Sequence, residues 1–121
     1  MVSQIIDVTD QYNATQSVTL DVSLWDKISV QIVGTFTDQG ISAYASNDGG
    51  AVQSVSDGGP SMAKYFTVIQ LRSLYDESLL LDLNQPGIYS TTIRAKYFKL
   101  SGAPFDYPTT SKVIVFLNKP Y

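Results

Sequence analysis

Apolar residues recur at every second position along most of this chain, and this alternation limits the fold more than any other feature. It is clearest in residues 28–36, where Ile28, Val30, Ile32 and Phe36 fall on one side of an extended chain and mostly polar residues fall on the other. Val, Ile, Thr, Tyr and Phe supply most of the alternating positions, as is typical of strands. The pattern therefore predicts half-buried strands and an all-β fold.

Other segments show the same extended pattern and are separated by turn residues such as Asp-Gly and Pro-Gly. In all, about eight or nine strands are expected, at the spacing of a sandwich. Besides residues 28–36, strands are predicted at residues 4–8, 18–22, 41–46, 51–55, 64–71, 88–95 and 112–117, and residues 96–100 either extend the strand at 88–95 or restart it. Residues 71–83 fit a loop or a helical turn through Glu77, followed by a strand.

The length of 121 residues fits one hydrophobic core. We therefore predict a single antiparallel β-sandwich domain over residues 1–121, with short extended arms at 1–16 and 118–121. Its strand order fits either a jelly roll or an immunoglobulin-like sandwich, because the two have nearly the same linear pattern.

The composition lacks the residue types on which several classes of protein function depend. The chain has no cysteine and no histidine, which excludes thiol nucleophiles, thiolate zinc sites and histidine-based proton relays. Its net charge is -3 and its lysines and arginines form no cluster, so nucleic acid is not an expected partner. We expect neither an enzyme nor a cofactor.

Nothing in the sequence predicts a membrane partner. The first residues lack the basic and apolar regions of a secretion signal, and no apolar run is long enough to span a bilayer. We expect a protein without a signal peptide or a transmembrane segment.

The polar motifs that could carry chemistry are weak. Asp76, Glu77 and Asp82 are close in sequence, as the carboxylates of a glycosidase could be, but acidic residues are normally solvated and no aromatic sugar platform flanks them. Residues 47–49 resemble the start of a calcium loop, yet the residues that follow lack its further oxygen ligands. No metal site is predicted.

The aromatic residues carry more information, because some occupy places that are normally polar. Phe105 and Tyr107 lie in a proline-flanked loop and Tyr121 ends the chain, while Tyr65 and Phe66 belong to a predicted strand with two apolar faces. We predict these five residues as protein contacts. For the loop and the end of the chain, folding back over the chain's own sandwich is an equal alternative.

The order of several segments resembles that of the small β-sandwich virion proteins of tailed bacteriophages. The resemblance rests on Trp25 followed by the strand at 28–36, the Ser-Asn-Asp-Gly-Gly turn at 46–50, Gly-Ile-Tyr at 87–89 and Lys-Tyr-Phe-Lys-Leu at 96–100. It spans roughly residues 18–117. Two departures are the missing tryptophan after the turn, where Ala-Val-Gln stands at 51–53, and an added excursion at residues 73–83.

The resemblance implies a structural role in the virion, with synthesis in the host cytoplasm. A capsid decoration or cement protein is the expected form, with the major capsid protein or other virion proteins as partners and a homo-oligomer, a trimer among the options, as its state. The alternative is a carbohydrate- or receptor-binding module of a tail or head fibre, in which Tyr75, Phe105 and Tyr107 would form a stacking platform.

Overall fold

The computed structural model describes residues 2–47 and 66–119, which form two antiparallel sheets packed face to face and one short helix. The predicted all-β sandwich is thus confirmed. One sheet has six strands in the order β1-β11-β3-β9-β6-β7, and the other has five, with β2-β10-β4-β5 in a row and β8 pairing with β4. The elements are β1 (Val2–Asp7), α1 (Thr9–Thr15), β2 (Ser17–Asp21), β3 (Lys27–Val33), β4 (Ile41–Ser46), β5 (Thr67–Ile69), β6 (Leu71–Ser73), β7 (Leu79–Leu80), β8 (Asp82–Leu83), β9 (Gly87–Thr92), β10 (Tyr97–Gly102) and β11 (Lys112–Lys119).

The core lies between the two sheets and is built from alternate residues of their strands. In β3, Ile28, Val30 and Ile32 are fully buried, as the alternation predicts. They lie beside the buried residues of β11 and face those of the second sheet. These partners are Val113, Val115 and Leu117 from β11, and Ile41, Ala43, Phe98 and Leu100 from β4 and β10.

The predicted strand at residues 64–71 is not one strand, and its first two residues lie outside the described part of the chain. β5 pairs with β4 in the five-stranded sheet, whereas β6 pairs with β9 in the six-stranded sheet. The chain therefore crosses between the sheets at Gln70. Ile69 and Leu71 lie on the same side of the alternation and both point inward, from different sheets, while Val68 on the other side is exposed.

The described strands outnumber the predicted ones because residues 67–83 divide into four strands of two or three residues. Between β6 and β7 the backbone makes one helical turn, closed by a hydrogen bond of 2.9 Å from the Glu77 N–H to the Ser73 carbonyl. A helical turn ending at Glu77 is what the sequence predicts as one of its two options. Glu77 itself has a positive φ of 63°, which ends the turn.

The segment at 1–16, predicted as an extended arm with a strand at residues 4–8, contains strand β1 and helix α1 in its described part. β1 pairs along its whole length with β11, which extends to Lys119. Helix α1 was not predicted, because Thr-Asp-Gln-Tyr-Asn-Ala-Thr is rich in weak helix formers. In the described part of the chain, no helix is long and apolar enough to cross a membrane.

Helix α1 is held by polar contacts at its start and by one buried ring. The Asp7 carboxylate accepts hydrogen bonds from both the N–H and the hydroxyl of Thr9, and the Thr9 hydroxyl accepts one of 2.9 Å from the Val113 N–H. Tyr12 is fully buried, and its hydroxyl donates a hydrogen bond to the Ala103 carbonyl. Tertiary contacts therefore compensate for the low helical propensity.

We expect Tyr12→Phe to lower the free energy of unfolding by about 1–2 kcal/mol, because the Ala103 carbonyl loses its donor. Burial also raises the pKa of Tyr12 above its ordinary value near 10. The neutral phenol is thus favoured in the folded state, and its contribution is complete below pH 10 and lost as the pH rises further. Urea unfolding between pH 8 and pH 11 should show a shallower alkaline loss in Tyr12→Phe, and an unchanged slope would contradict this role.

Candidate interaction surface

The outward side chains of the six-stranded sheet form a row that crosses all six strands. Strand pairing places Ile5 beside Phe116, Phe116 beside Ser29 and Ser29 beside Ser90. Arg72 and Leu79 complete the row at the far edge. Because each of these residues alternates with inward residues along its strand, the whole row points away from the core.

A second outward row lies next to the first and adds to its apolar part. It contains Asp7, Ile114, Gln31 and Ile88. Val33 lies two residues after Gln31 in β3 and points to the same side. Ile5 is 70% exposed, and Val33 and Ile88 are also exposed. We call Ile5, Val33, Ile88, Ile114 and Phe116 the apolar face.

The apolar face includes a shallow groove rather than isolated residues. Ile5, Ile88, Ile114 and Phe116 line this groove together with the polar residues Ser29 and Gln31. Single exposed apolar residues are normal, but contiguous exposed patches mark interaction sites. The outer face of this sheet is thus a candidate protein-binding surface.

Charged residues border the apolar face on two sides. At one corner, Lys112 Nζ lies 3.7 Å from Asp7 Oδ2. The hydrogen bonds from Thr9 and, to a lesser degree, the Lys112 charge lower the pKa of Asp7. At the far edge, the Arg72 guanidinium donates a hydrogen bond of 2.8 Å to the Glu77 carbonyl. An apolar centre with a polar rim is the usual composition of a protein interface.

Phe105, predicted as a contact residue, lies in the core instead. It is 3% exposed, and its ring stacks on Phe36 with a centroid distance of 4.6 Å and meets the edge of Tyr12 at 5.8 Å. The loop around it is tied to the end of β3, since the Asp106 N–H donates to the Thr35 carbonyl. The loop folds back over its own sandwich, which is the alternative that the sequence left open. Phe105 is therefore not available to a partner.

The other predicted contact residues are spread over the molecule. Tyr107 is 69% exposed in the same loop as Phe105. Phe66 is half-buried and directly precedes β5, which belongs to the opposite sheet from the apolar face. Tyr65 and Tyr121 lie outside the described residues. Of the predicted contact residues that the structure describes, none therefore belongs to the apolar face.

Phe66 belongs to an aromatic cluster on the outer face of the five-stranded sheet. The Lys99 ammonium lies 5.0 Å from the centroid of the Phe66 ring and 6.0 Å from that of Tyr44. Two residues before Tyr44 in β4, the Ser42 hydroxyl donates a hydrogen bond of 2.7 Å to Asp82 Oδ1. This part of the sheet has a shallow polar groove, whose lining includes Tyr44, Ser42, Asp82 and Asp38.

The three carboxylates that are close in sequence do not form one site. The Asp76 carboxylate accepts hydrogen bonds from the N–H and the hydroxyl of Ser78, in the turn after β6. These bonds lower the pKa of Asp76. Asp82 lies in β8 of the other sheet. Among the described residues, no group of three or more acidic side chains is arranged to hold a metal ion.

A search of solved structures finds one with a similar fold. It is the crystal structure of the SPBc2 prophage-derived protein YomS, with a TM-score of 0.58 and 17% sequence identity over 97% of this chain and 95% of that one. At this identity the similarity shows the fold. No protein-family model matches the chain, and no curated protein sequence matches it.

Sequence reasoning missed the apolar face, although β11 carried a signal for it. The segment Val113-Ile114-Val115-Phe116-Leu117 is apolar at every position, so only one of its two faces can belong to the core of a two-layer sandwich. The structure buries Val113, Val115 and Leu117 and leaves Ile114 and Phe116 on the outside. An unbroken apolar strand in a sandwich indicates either a third layer or a surface for a partner.

Proposed function

We propose that this protein is a non-enzymatic structural component of a bacteriophage virion, and that it decorates and reinforces the capsid. The observation that carries the proposal is the apolar face, which offers a contiguous surface on a regular sheet to a protein neighbour. The major capsid protein is the proposed neighbour. The protein would be made in the host cytoplasm and then incorporated into the particle, without a cofactor.

Two further observations support the proposal. The sequence resembles the small β-sandwich proteins of tailed-phage virions, and a prophage-derived protein has a similar fold. A capsid repeats each surface many times, so that a modest interface gains avidity from symmetry. A flat apolar face with a polar rim suits such a repeated contact.

Quantitative mass spectrometry of purified intact virions tests this proposal. If the protein decorates the capsid, it should be present in a fixed ratio to the major capsid protein, on the order of tens of copies or more per particle. Virions of a deletion strain should then be less resistant to heating. Particles that lack the protein at all stages would contradict the proposal.

A carbohydrate-binding role is the second candidate, and the polar groove on the five-stranded sheet favours it. The groove places the Tyr44 ring beside the hydrogen-bonded pair of Ser42 and Asp82, and sugars are recognised by such combinations of ring and polar groups. The stacking platform predicted from Tyr75, Phe105 and Tyr107 is incomplete, because the Phe105 ring is buried in the core. Glycan-array binding that is abolished by Tyr44→Ala but retained by Tyr107→Ala would favour this role over decoration.

A further inference from the structure

Strand β1 forms an open edge of the six-stranded sheet. It pairs with β11 on one side, and no described strand pairs with its other side. It is six residues long, whereas β7 at the opposite edge of the same sheet has two. In the described part of the chain, β1 is therefore the longest strand at the edge of a sheet.

The hydrogen bonds around β1 show which backbone groups face this edge. The Val8 N–H donates to the Val113 carbonyl at 3.0 Å, and Val8 continues the pairing register of β1 with β11. Because hydrogen-bonded positions alternate in an antiparallel pair, Gln4 and Ile6 also bond to β11. The N–H and carbonyl groups of Ser3, Ile5 and Asp7 consequently point to the free edge.

The edge has almost none of the features that keep sheet edges apart. β1 contains no proline, no lysine and no bulge, and its one charged residue stands at its end. Asp7 is also held by Thr9 and Lys112 at that end. An open strand with Ile5 exposed at its centre is suited to pair with another strand.

We propose that two copies of this chain pair through β1, antiparallel and around a two-fold axis at Ile5. In this register, Ile5 is opposite Ile5 of the second copy, and Ser3 is opposite Asp7 of the second copy. All three outward residues then have a hydrogen-bonded pair, and the only charge meets a serine hydroxyl that can donate to it. A shift that centres the axis on Asp7 would place two carboxylates opposite each other.

The pairing also joins the apolar faces of the two copies. Ile5 and Phe116 are neighbours in the outward row, so the row would continue through the axis to the same residues of the second copy. One sheet of twelve strands results, with both apolar faces on the same side. The second copy therefore fits this edge in register, charge and surface pattern.

The contact is small, so a direct chemical test is preferable to a measurement of mass alone. A six-residue strand is about 20 Å long, and such a contact falls below the size of a standard interface. The chain has no cysteine, so each single-cysteine variant carries one thiol. In the proposed register the Cα atoms of Ile5 and its symmetry mate are about 5.5 Å apart, which a disulfide can bridge.

Oxidation of Ile5→Cys should give a disulfide-linked dimer at least about tenfold faster than oxidation of Leu24→Cys, because pairing raises the effective thiol concentration. Leu24 is the matched control, since it is 71% exposed against 70% for Ile5 and lies outside β1. Ser3→Cys should link to itself slowly, because its own mate is about 14 Å away in this register. A mixture of Ser3→Cys and Asp7→Cys should link quickly.

The pattern of rates decides the proposal. Equal rates for Ile5→Cys, Ser3→Cys and Leu24→Cys would overturn it, and so would fast self-linking of Ser3→Cys alone. Ile5→Pro gives a second test, because proline removes an N–H that faces the free edge while leaving an apolar side chain. It should abolish concentration-dependent dimer formation in analytical ultracentrifugation of the cysteine-free chain. The pairing does not depend on the virion role, so either can fail without the other.

Discussion

Replacing Phe105 with alanine is expected to lower the free energy of unfolding by about 3–5 kcal/mol. The ring is buried against Phe36 and Tyr12, and its removal leaves a cavity at the place where the loop after β10 covers the core. A typical domain is stabilised by about 5–15 kcal/mol, so a loss of this size is a large share of the total. Urea unfolding followed by tryptophan fluorescence measures it, since Trp25 is the only tryptophan of the chain.

Tyr107→Ala is the matched control for Phe105→Ala, because it removes an aromatic ring from the same loop at an exposed position. Its expected effect is within about 0.5 kcal/mol. A similar loss in both variants would show that the loop is sensitive to any truncation. It would contradict the account of Phe105 as a core residue.

Gly40→Ala is expected to destabilise the fold by at least about 2 kcal/mol. Gly40 has a positive φ of 98°, and a Cβ atom there would lie 2.3 Å from the carbonyl oxygen of Leu83. The obstacle is backbone and cannot rotate away. The Gly40 carbonyl also accepts a hydrogen bond of 2.9 Å from the Ala103 N–H, so a shift at Gly40 would disturb the start of the loop that carries Phe105. Thermal unfolding should show a clearly lower Tm.

Gly87→Ala provides the comparison for Gly40→Ala. A Cβ atom at Gly87 would first meet the Tyr89 hydroxyl at 3.3 Å, a contact that a shift of a few tenths of an ångström would relieve. Unlike Gly40, Gly87 does not have a positive φ. We expect a change of less than about 1 kcal/mol. If Gly87→Ala were as destabilising as Gly40→Ala, strain at Gly40 would not explain the effect.

The strands were predictable where one face of the sheet is buried and the other is solvated. β3 is the clearest case, because Ile28, Val30 and Ile32 alternate with more polar residues. Gly34, which directly follows β3, is a position where a ring approaches the backbone. A Cβ atom there would lie 3.2 Å from the Phe105 ring and 2.3 Å from the Ser111 hydroxyl.

Other features depend on tertiary contacts that leave little trace in a local pattern. Helix α1 consists of weak helix formers and is stabilised by the burial of Tyr12 and by bonds to β11. The switch of sheets at Gln70 is invisible in the alternation, because inward residues follow each other at the same period in both sheets. Phe105 was ambiguous because a loop aromatic can face either its own core or a partner.

The candidate surface was only partly predictable for a related reason. The sequence indicated that the protein displays aromatic and strand surfaces, but the residues it singled out are not those of the apolar face. Ile5, Ile114 and Phe116 come from the two ends of the chain and become neighbours only when β1 pairs with β11. The fully apolar run in β11 is the one local signal of this face.

Binding of purified protein to virions that lack it tests the central claim, namely that the apolar face attaches this protein to the capsid. Wild-type protein and Leu24→Ser should sediment with the particles, whereas Ile5→Ser and Phe116→Ser should lose at least about 90% of binding at equal concentration. Circular dichroism would first establish that the variants are folded. Undiminished binding of both face variants, or no binding of wild-type protein, would contradict the account.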